Sequence, residues 1–161
     1  MKKIKILLVL GFAFIALASA AQTCIPNDTT TTGNTIVQRA MKYLGVPYRS
    51  GQSNPKIGFD CSGFTSYVFK KENILLTRSS RSQYQEGLRI HNTKDLQLGD
   101  LVFFSGPRRS SSIGHVGIVT NVNPVTGAFS FIHASRTGIR VSSSQEVYYM
   151  RRYIGACRIL A

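Results

Sequence analysis

One cysteine of the chain stands where a polar loop passes into a predicted helix. Cys61 lies between Asp60 and the small residues Ser62 and Gly63. A thiol in the first turn of a helix faces free backbone N–H groups and the positive end of the helix dipole, which lowers its pKa. The same N–H groups can stabilise an oxyanion, and Ser62 leaves room for a substrate. The pattern favours a nucleophilic Cys61 over a buried structural cysteine.

A cysteine nucleophile needs a base and a group that orients the base. His115 begins one strand of a predicted hairpin and His133 ends the other. If Val122 pairs with Ala128 across the loop between the strands, Gly117 faces His133. His115 then lies on the same sheet face, diagonal to His133 and about 7–8 Å away at Cα, within reach of a hydrogen bond. A register shift of one residue would separate the two imidazoles.

The elements that position these residues follow a simple order. Hydrophobic periodicity and end signals predict helices from Asn34 or Thr35 to Gly45, from 60–61 to Asn73, and from Ser79 or Ser80 to Gly87. Strands are predicted over 101–104, 116–122 and 128–132, with shorter ones over 139–141 and 156–160. Helices that precede antiparallel strands are typical of an α+β fold.

The composition indicates one folded domain with an extension. The chain has 161 residues, 43% of them hydrophobic, and a formal net charge of +13. It is too short for a multi-domain enzyme. It lacks the repeated apolar runs of a polytopic membrane protein, and a coiled coil is also excluded. The charge favours an anionic partner: nucleic acid, an anionic membrane or an acidic polymer such as a cell wall.

The N-terminal segment resembles an export signal. Residues 1–21 combine early lysines, an apolar run and small residues at Ala18-Ser19-Ala20, which predicts a secretory signal peptide cut after Ala20 or Ala21. An uncleaved anchor and lipidation at Cys24 are the alternatives. Residues 22–35 are predicted to be a flexible linker and 36–161 the functional domain. We expect an exported protein, periplasmic or extracellular, without a membrane span after cleavage.

Export changes the interpretation of the three cysteines. In an oxidising compartment Cys24 and Cys157, near opposite ends of the mature chain, could pair and leave Cys61 free. The chain has no CxxC, and His91, His115 and His133 are too scattered for a zinc site, so we expect no metal or cofactor. His91 is interpreted as a surface loop residue.

Arginine replaces lysine in the second half of the chain. After Asp100 the sequence has no lysine and one acidic residue, Glu146, against Arg108, Arg109, Arg136, Arg140, Arg151, Arg152 and Arg158. The guanidinium fork suits bidentate binding of carboxylates or phosphates. A solvated basic face that keeps the protein soluble is the simpler interpretation.

Four ordered stretches resemble the NlpC/P60 family of papain-like cysteine peptidases of bacterial cell walls. They are Asp60-Cys61-Ser62-Gly63-Phe64, Leu98-Gly99-Asp100-Leu101-Val102-Phe103-Phe104, Gly114-His115-Val116-Gly117-Ile118-Val119 and Ile132-His133-Ala134-Ser135. The resemblance covers about 36–160. Single-domain murein endopeptidases of the Gram-negative envelope are most similar, through Gly45-Val46-Pro47-Tyr48-Arg49 and Thr77-Arg78-Ser79-Ser80 as well.

The resemblance implies a papain-like α+β fold and a role for each matching residue. Cys61 would be the nucleophile, His115 the base and later the acid, and His133 the group that orients His115. Tyr48 would help to bind or polarise the carbonyl, Asp60 would receive a free amine of a stem peptide, and Arg78 and Ser79 would lie at the groove edge. The loop at 107–112 has no counterpart in the family pattern and is expected to rim the groove.

The implied substrate is a stem peptide of peptidoglycan. The bond would be D-γ-glutamyl-diaminopimelate or the D-Ala-diaminopimelate cross-link, cut by a monomer through an acyl-enzyme on Cys61. An N-acetylmuramoyl-L-alanine amidase on the same fold and an inactive wall-binding module are the alternatives. A nucleic-acid binder would explain the charge, but the signal peptide and the lack of a base-reading motif argue against it.

Overall fold

A six-stranded antiparallel sheet forms the centre of the protein. The computed structural model describes residues 29–106 and 111–159. The helices are α1 Thr29–Met41, α2 Cys61–Lys70, α3 Ser80–Glu86 and α4 Val147–Met150. The strands are β1 Ser53–Asn54, β2 Gly58–Phe59, β3 Leu88–Ile90, β4 Leu101–Ser105, β5 Ile113–Val122, β6 Phe129–Ser135, β7 Gly138–Ser143 and β8 Tyr153–Arg158. The large sheet has the order β3-β8-β4-β5-β6-β7.

Helix α2 begins at Cys61 because Asp60 caps it. The Asp60 carboxylate accepts a hydrogen bond from the Gly63 backbone N–H at 2.7 Å, which satisfies one of the free donors of the first turn. Phe64, Val68 and Phe69 are fully buried between α2 and the sheet, and each contributes roughly 1.5–3 kcal/mol of hydrophobic stabilisation. The burial of this face fixes the start of α2 against the sheet.

The opposite face of the sheet is aromatic. Phe104 from β4 and Phe131 from β6 lie 4.8 Å apart at their ring centroids. Tyr149 of α4 packs edge-on against Phe131, at 4.9 Å. The sheet therefore has an apolar layer on each face, and α4 seals the second layer beside β6.

The hairpin of β5 and β6 contains a register shift. Val122 pairs with Phe129 rather than with Ala128, so the predicted pairing at the loop is wrong. A β-bulge between Val119 and Asn121 then shifts the register by one residue, and Ile118 pairs with Ile132 as predicted. The bulge thus restores the predicted face relationship at the end of the hairpin that carries the histidines.

The first helix begins earlier than the sequence predicts. α1 starts at Thr29, so residues 29–35 are helical where a flexible linker was expected. Within this stretch Gly33 packs against the turn before β4, where a Cβ would lie 2.2 Å from the Leu98 carbonyl oxygen. Only glycine allows the helix to approach the turn before β4 so closely. Residues 1–28, with the predicted signal peptide and Cys24, lie outside the described residues, as do 107–110.

Several short elements were missed, and several boundaries differ from the predicted ones. The sequence did not predict β1, β2, β3 or α4, whose lengths of two to four residues are too small for a periodic pattern. The helix that starts at Cys61 ends at Lys70, followed by a turn in which Asn73 has a φ of 61°. α3 ends before Gly87 as predicted. No helix among the described residues is long and apolar enough to cross a membrane.

Candidate active site

Cys61, His115 and His133 line one cavity of about 490 Å³. Cys61 enters it from the first turn of α2, and the histidines enter from β5 and β6. Backbone groups of Ser62 and of Val116, the residue after His115, are hydrogen-bonded to the Cys61 thiol. The start of α2 is therefore held against β5 next to His115. The roles of nucleophile and base stay predictions for Cys61 and His115.

The two imidazoles are directly hydrogen-bonded. His115 Nε2 lies 2.8 Å from His133 Nδ1, and the rings are perpendicular at 88°. Because Nε2 of His115 is used in this contact, Nδ1 is the nitrogen left to act on the thiol. Gly117 makes the contact possible, since a Cβ there would lie 3.2 Å from His133 Cβ and 2.6 Å from the Phe131 ring. The predicted imidazole pair is confirmed.

The buried side of His133 meets two hydroxyl groups. His133 Nε2 lies 3.2 Å from Ser142 Oγ of β7 and 3.2 Å from the Tyr149 hydroxyl of α4. His133 and both hydroxyl residues are buried. Sequence reasoning missed Ser142 and Tyr149 because neither has a local signal: the first is one of several serines and the second sits in a four-residue helix.

The resting site favours neutral side chains. Burial and the charge of Asp60 raise the pKa of the Cys61 thiol, and they outweigh the backbone hydrogen bonds that lower it. The expectation of a lowered thiol pKa, which considered the helix start alone, is therefore wrong for the resting site. Burial also lowers the pKa of His115 to about 4. Burial and the charge of His115 lower the pKa of His133 to about 2. In the resting site the proton is therefore on sulfur at neutral pH, and His115 is a neutral base.

Tyr48 belongs to the wall of the cavity that also contains Cys61. It forms an isolated bridge with Phe59 and lines the cavity. Burial, followed by the charges of Cys61 and Asp60, raises the pKa of its phenol, while the positive charge of Arg136 opposes them. Its hydroxyl therefore stays protonated at neutral pH and is available as a hydrogen-bond donor near Cys61.

The other predicted binding residues form a network behind Cys61. Asp60 accepts hydrogen bonds from the Gly51 and Gly63 backbone N–H groups. It also accepts hydrogen bonds from the two terminal nitrogens of the Arg78 guanidinium, each at 2.9 Å. Arg78 further donates to Ser62 Oγ at 3.0 Å. These contacts occupy the Asp60 carboxylate and give it a local structural role.

These predicted binding residues lie outside the lining of the cavity that contains Cys61, His115 and His133. Asp60, Ser62, Arg78 and Ser79 are not among the residues that line it. Ser79 is the N-cap residue of α3 and is exposed. The backbone of Ser62 still faces the thiol. A role in substrate binding therefore stays a prediction for these four side chains.

No metal-binding cluster is present among residues 29–106 and 111–159. His91 is exposed and lies away from the cavity lining. Cys157 is fully buried, and its thiol donates to the Gln83 carbonyl oxygen at 3.5 Å. Its predicted pairing with Cys24 involves a residue outside the described range.

A thiol at a helix start, with an imidazole from an adjacent antiparallel sheet and a second polar group that orients it, defines a papain-like cysteine peptidase. A family model described as the NlpC/P60 family matches residues 45–158. The chain belongs to the NlpC/P60 family.

Individual relatives and solved structures agree with this assignment. The chain is 35% identical over 125 residues to the bifunctional muramidase/DL-endopeptidase CwlT of Bacillus subtilis, with 78% of this chain and 36% of that protein covered. It is 37% identical over 128 residues to murein DD-endopeptidase MepS/murein LD-carboxypeptidase of Escherichia coli, covering 78% and 62%. A Staphylococcus aureus crystal structure of the NLP/P60 family superposes with a TM-score of 0.70 at 32% identity, covering 81% of this chain and 42% of that one.

The chain therefore spans less than two thirds of the length of these relatives. The names of the two enzymes also specify different bonds, DL in one and DD in the other. Family membership identifies the fold and the reaction class, and leaves the bond open.

Proposed function

We propose that this protein is a cysteine endopeptidase that hydrolyses peptide or isopeptide bonds in the stem peptides of peptidoglycan. The observation that carries the proposal is the direct contact of His115 with His133 in the cavity that holds Cys61. Relatives that are named as peptidoglycan endopeptidases support the substrate class.

The geometry supports a two-step acyl transfer. His115 Nδ1 takes the thiol proton as Cys61 Sγ attacks the scissile carbonyl carbon. The backbone N–H groups around the sulfur, at Cys61 and Ser62, stabilise the developing oxyanion. The His115 imidazolium then protonates the leaving amine as the C–N bond breaks, which leaves a thioester on Cys61. Water, deprotonated by His115, hydrolyses the thioester and restores the thiol.

His133 stabilises the charged form of the base in this sequence. When His115 carries both protons, its Nε2–H donates to Nδ1 of His133, so the transient positive charge is shared with a second ring. The contact also fixes the plane of the His115 ring relative to the sulfur.

Digestion of purified muropeptides, read by mass spectrometry, tests the proposal. The fragment masses identify the bond: γ-D-glutamyl-diaminopimelate, the D-Ala-diaminopimelate cross-link, or the muramoyl-L-alanine bond of an amidase. Cys61→Ala is the control, since it removes only the nucleophile. A product that is equally abundant with Cys61→Ala would exclude the mechanism, and a folded protein that binds muropeptides without cleaving them would identify a wall-binding module.

We also propose that the protein acts outside the cytoplasm as a monomer. Peptidoglycan lies outside the cytoplasmic membrane, and the pattern of residues 1–21 is typical of a cleaved signal. N-terminal sequencing of the exported protein should find Ala21 or Gln22 first. An intact Met1 on the exported protein would contradict cleavage.

A further inference from the structure

The wall of the cavity contains an arginine that pairs with no carboxylate of the described residues. Arg136 lies in the turn between β6 and β7, three residues after His133. It is exposed and belongs to the cavity wall. We propose that Arg136 forms a carboxylate-binding subsite, which binds a free carboxylate of the stem peptide next to the scissile bond. This inference rests on the proposed function and adds a specificity that the function alone does not imply.

The turn that carries Arg136 is rigidly held. Ser135 Oγ donates to the Gly138 carbonyl oxygen at 2.8 Å and contacts Thr137 Oγ1 at 2.8 Å. Beyond the turn, the Ile139 backbone N–H donates to the Val46 carbonyl oxygen at 2.9 Å. This last bond ties the start of β7 to the loop that carries Tyr48. The guanidinium is therefore presented from a preorganised turn rather than from a free loop.

The charge of Arg136 is not neutralised by a carboxylate within 29–106 and 111–159. The described part of the chain has four ion pairs, and none of them includes Arg136. The second arginine of the wall, Arg140, lies 3.3 Å from the Glu146 carboxylate, which also lines the cavity. The wall thus has an excess of one positive charge, and it is located at Arg136.

The subsite lies near the reacting atoms. The charge of Arg136 acts on the Tyr48 phenol, and the same phenol feels the charge of Cys61. Arg78 pairs with Asp60 and does not line the cavity. A substrate carboxylate is therefore attracted to the Arg136 side of the cavity.

The chemistry of the ligand follows from the guanidinium fork. Two parallel N–H donors match the two oxygens of a carboxylate and match a primary amide poorly. Stem peptides carry free α-carboxylates on their D-isoglutamyl and diaminopimelyl residues, and amidation converts these into neutral amides. The subsite should distinguish the two forms of the same peptide.

The test compares two muropeptides that differ only in amidation of one carboxylate, for each of these two residues in turn. For one of these pairs, Arg136→Gln should raise KM for the free acid by roughly tenfold, the value of one charge-assisted hydrogen bond, and leave kcat unchanged. KM for the amidated form should change by less than about twofold, because the amide never used the charge. Arg151→Gln is the matched control, since Arg151 is exposed and does not line the cavity.

Three results would overturn the subsite. They are an equal rise in KM for both members of every pair, no rise in KM for any substrate, or the same change in KM for Arg151→Gln as for Arg136→Gln. In each case wild-type cleavage would leave the proposed function intact. If the wild-type protein cleaves none of these substrates, the proposed function fails and the subsite fails with it.

A second inference rests on different contacts. We infer that Ser142 and Tyr149 are positioning residues that act on the base through His133. While His115 is protonated, His133 must keep its own proton on Nε2, because its Nδ1 accepts from His115. The hydroxyl oxygens of Ser142 and Tyr149, each 3.2 Å from Nε2, are the acceptors for that proton.

Without these oxygens a buried N–H would have no acceptor during the reaction. Such a group destabilises its state by about 1–3 kcal/mol, and here the affected state is the His115 imidazolium. The charged and titratable groups that face His133 are His115 from β5, Arg140 from β7 and Tyr149 from α4. Arg140, and His115 when it is protonated, disfavour protonation of His133, so the hydroxyl groups support the pair without adding a charge.

Paired variants separate positioning from packing. Tyr149→Phe should lower kcat about threefold and the combination with Ser142→Ala by tenfold or more, with KM unchanged. The acid limb of kcat/KM should move to lower pH, because the imidazolium of His115 is less stable. Ser142→Thr keeps the hydroxyl and should retain activity. An unmoved acid limb, with activity lost only in proportion to the folded fraction, would overturn the inference.

Discussion

The 2.8 Å contact between His115 Nε2 and His133 Nδ1 determines which nitrogen of the base is available for catalysis. It assigns Nε2 to the second histidine and leaves Nδ1 for the Cys61 thiol. The contact depends on a β-bulge between Val119 and Asn121 and on the lack of a side chain at Gly117. The activity of the site is therefore sensitive to the register of one hairpin.

The two histidines should differ in their effect on turnover. His115→Ala removes the base and should lower kcat by roughly 10²–10⁴-fold. His133→Gln removes one orienting hydrogen bond and should lower kcat about tenfold. Steady-state kinetics on the cleaved muropeptide measures both. Residual activity of His115→Ala above that of His133→Gln would show that the base is assigned to the wrong ring.

The thiol should react slowly at acidic pH. Because burial raises the pKa of Cys61, its alkylation rate by iodoacetamide should rise about tenfold per pH unit from pH 6 towards the ordinary thiol range. Cys157 should react more slowly still, since it is fully buried and its pKa is raised to about 12. Peptide mapping by mass spectrometry separates the two sites. A plateau in the alkylation rate of Cys61 near pH 6 would show that Cys61 is already a thiolate there, as the helix start alone predicts.

The fold should lose stability in acid because of the histidine pair. The pKa values of His115 and His133 fall from 6.5 to about 4 and about 2, so the unfolded chain binds protons that the native state does not. Above pH 6.5 the two rings do not reduce the free energy of unfolding. As the pH falls from 6.5 towards 4, the free energy of unfolding declines with a slope that approaches about 1.4 kcal/mol per pH unit for each ring.

Urea denaturation between pH 7 and pH 4 measures this slope. His133→Gln should reduce it by about half, since one of the two rings is removed. His91→Gln, at an exposed loop position, should leave it unchanged. Identical slopes for all three proteins would mean that carboxylates, rather than the imidazole pair, control the acid transition.

A methyl group at position 117 should damage both stability and catalysis. Gly117→Ala places its Cβ 2.6 Å from the Phe131 ring and 3.2 Å from His133 Cβ, so the strands or rings must shift, at about 1–3 kcal/mol. The displaced His133 should also reduce kcat. Gly106→Ala, whose Cβ would meet only the Gly114 Cα at 3.8 Å among the described residues, is the control for thermal stability. An active, fully stable Gly117→Ala protein would show that the contact tolerates displacement.

Local sequence was sufficient for the parts of the site that depend on neighbouring residues. The helix that carries Cys61 begins at that residue, as the local pattern predicts. Strand alternation allows the two histidines to share a sheet face, and the bulge between Val119 and Asn121 supplies the register that this needs. The α+β order of elements and the family resemblance also follow from the sequence, since helix and strand periods and ordered motifs are linear properties.

Tertiary structure decided what depends on residues distant in the chain. The pKa of Cys61 rises because burial sums over several packed elements, which outweighs the helix start. Ser142 and Tyr149 meet His133 only because β7 and α4 close over β6. The close approach of α1 to Leu98 at Gly33 likewise joins residues that are far apart in the sequence. The sequence by itself predicted the candidate reacting groups and their order along the chain. Packing decided their protonation, the residues that hydrogen-bond to them and the residues that line the cavity around them.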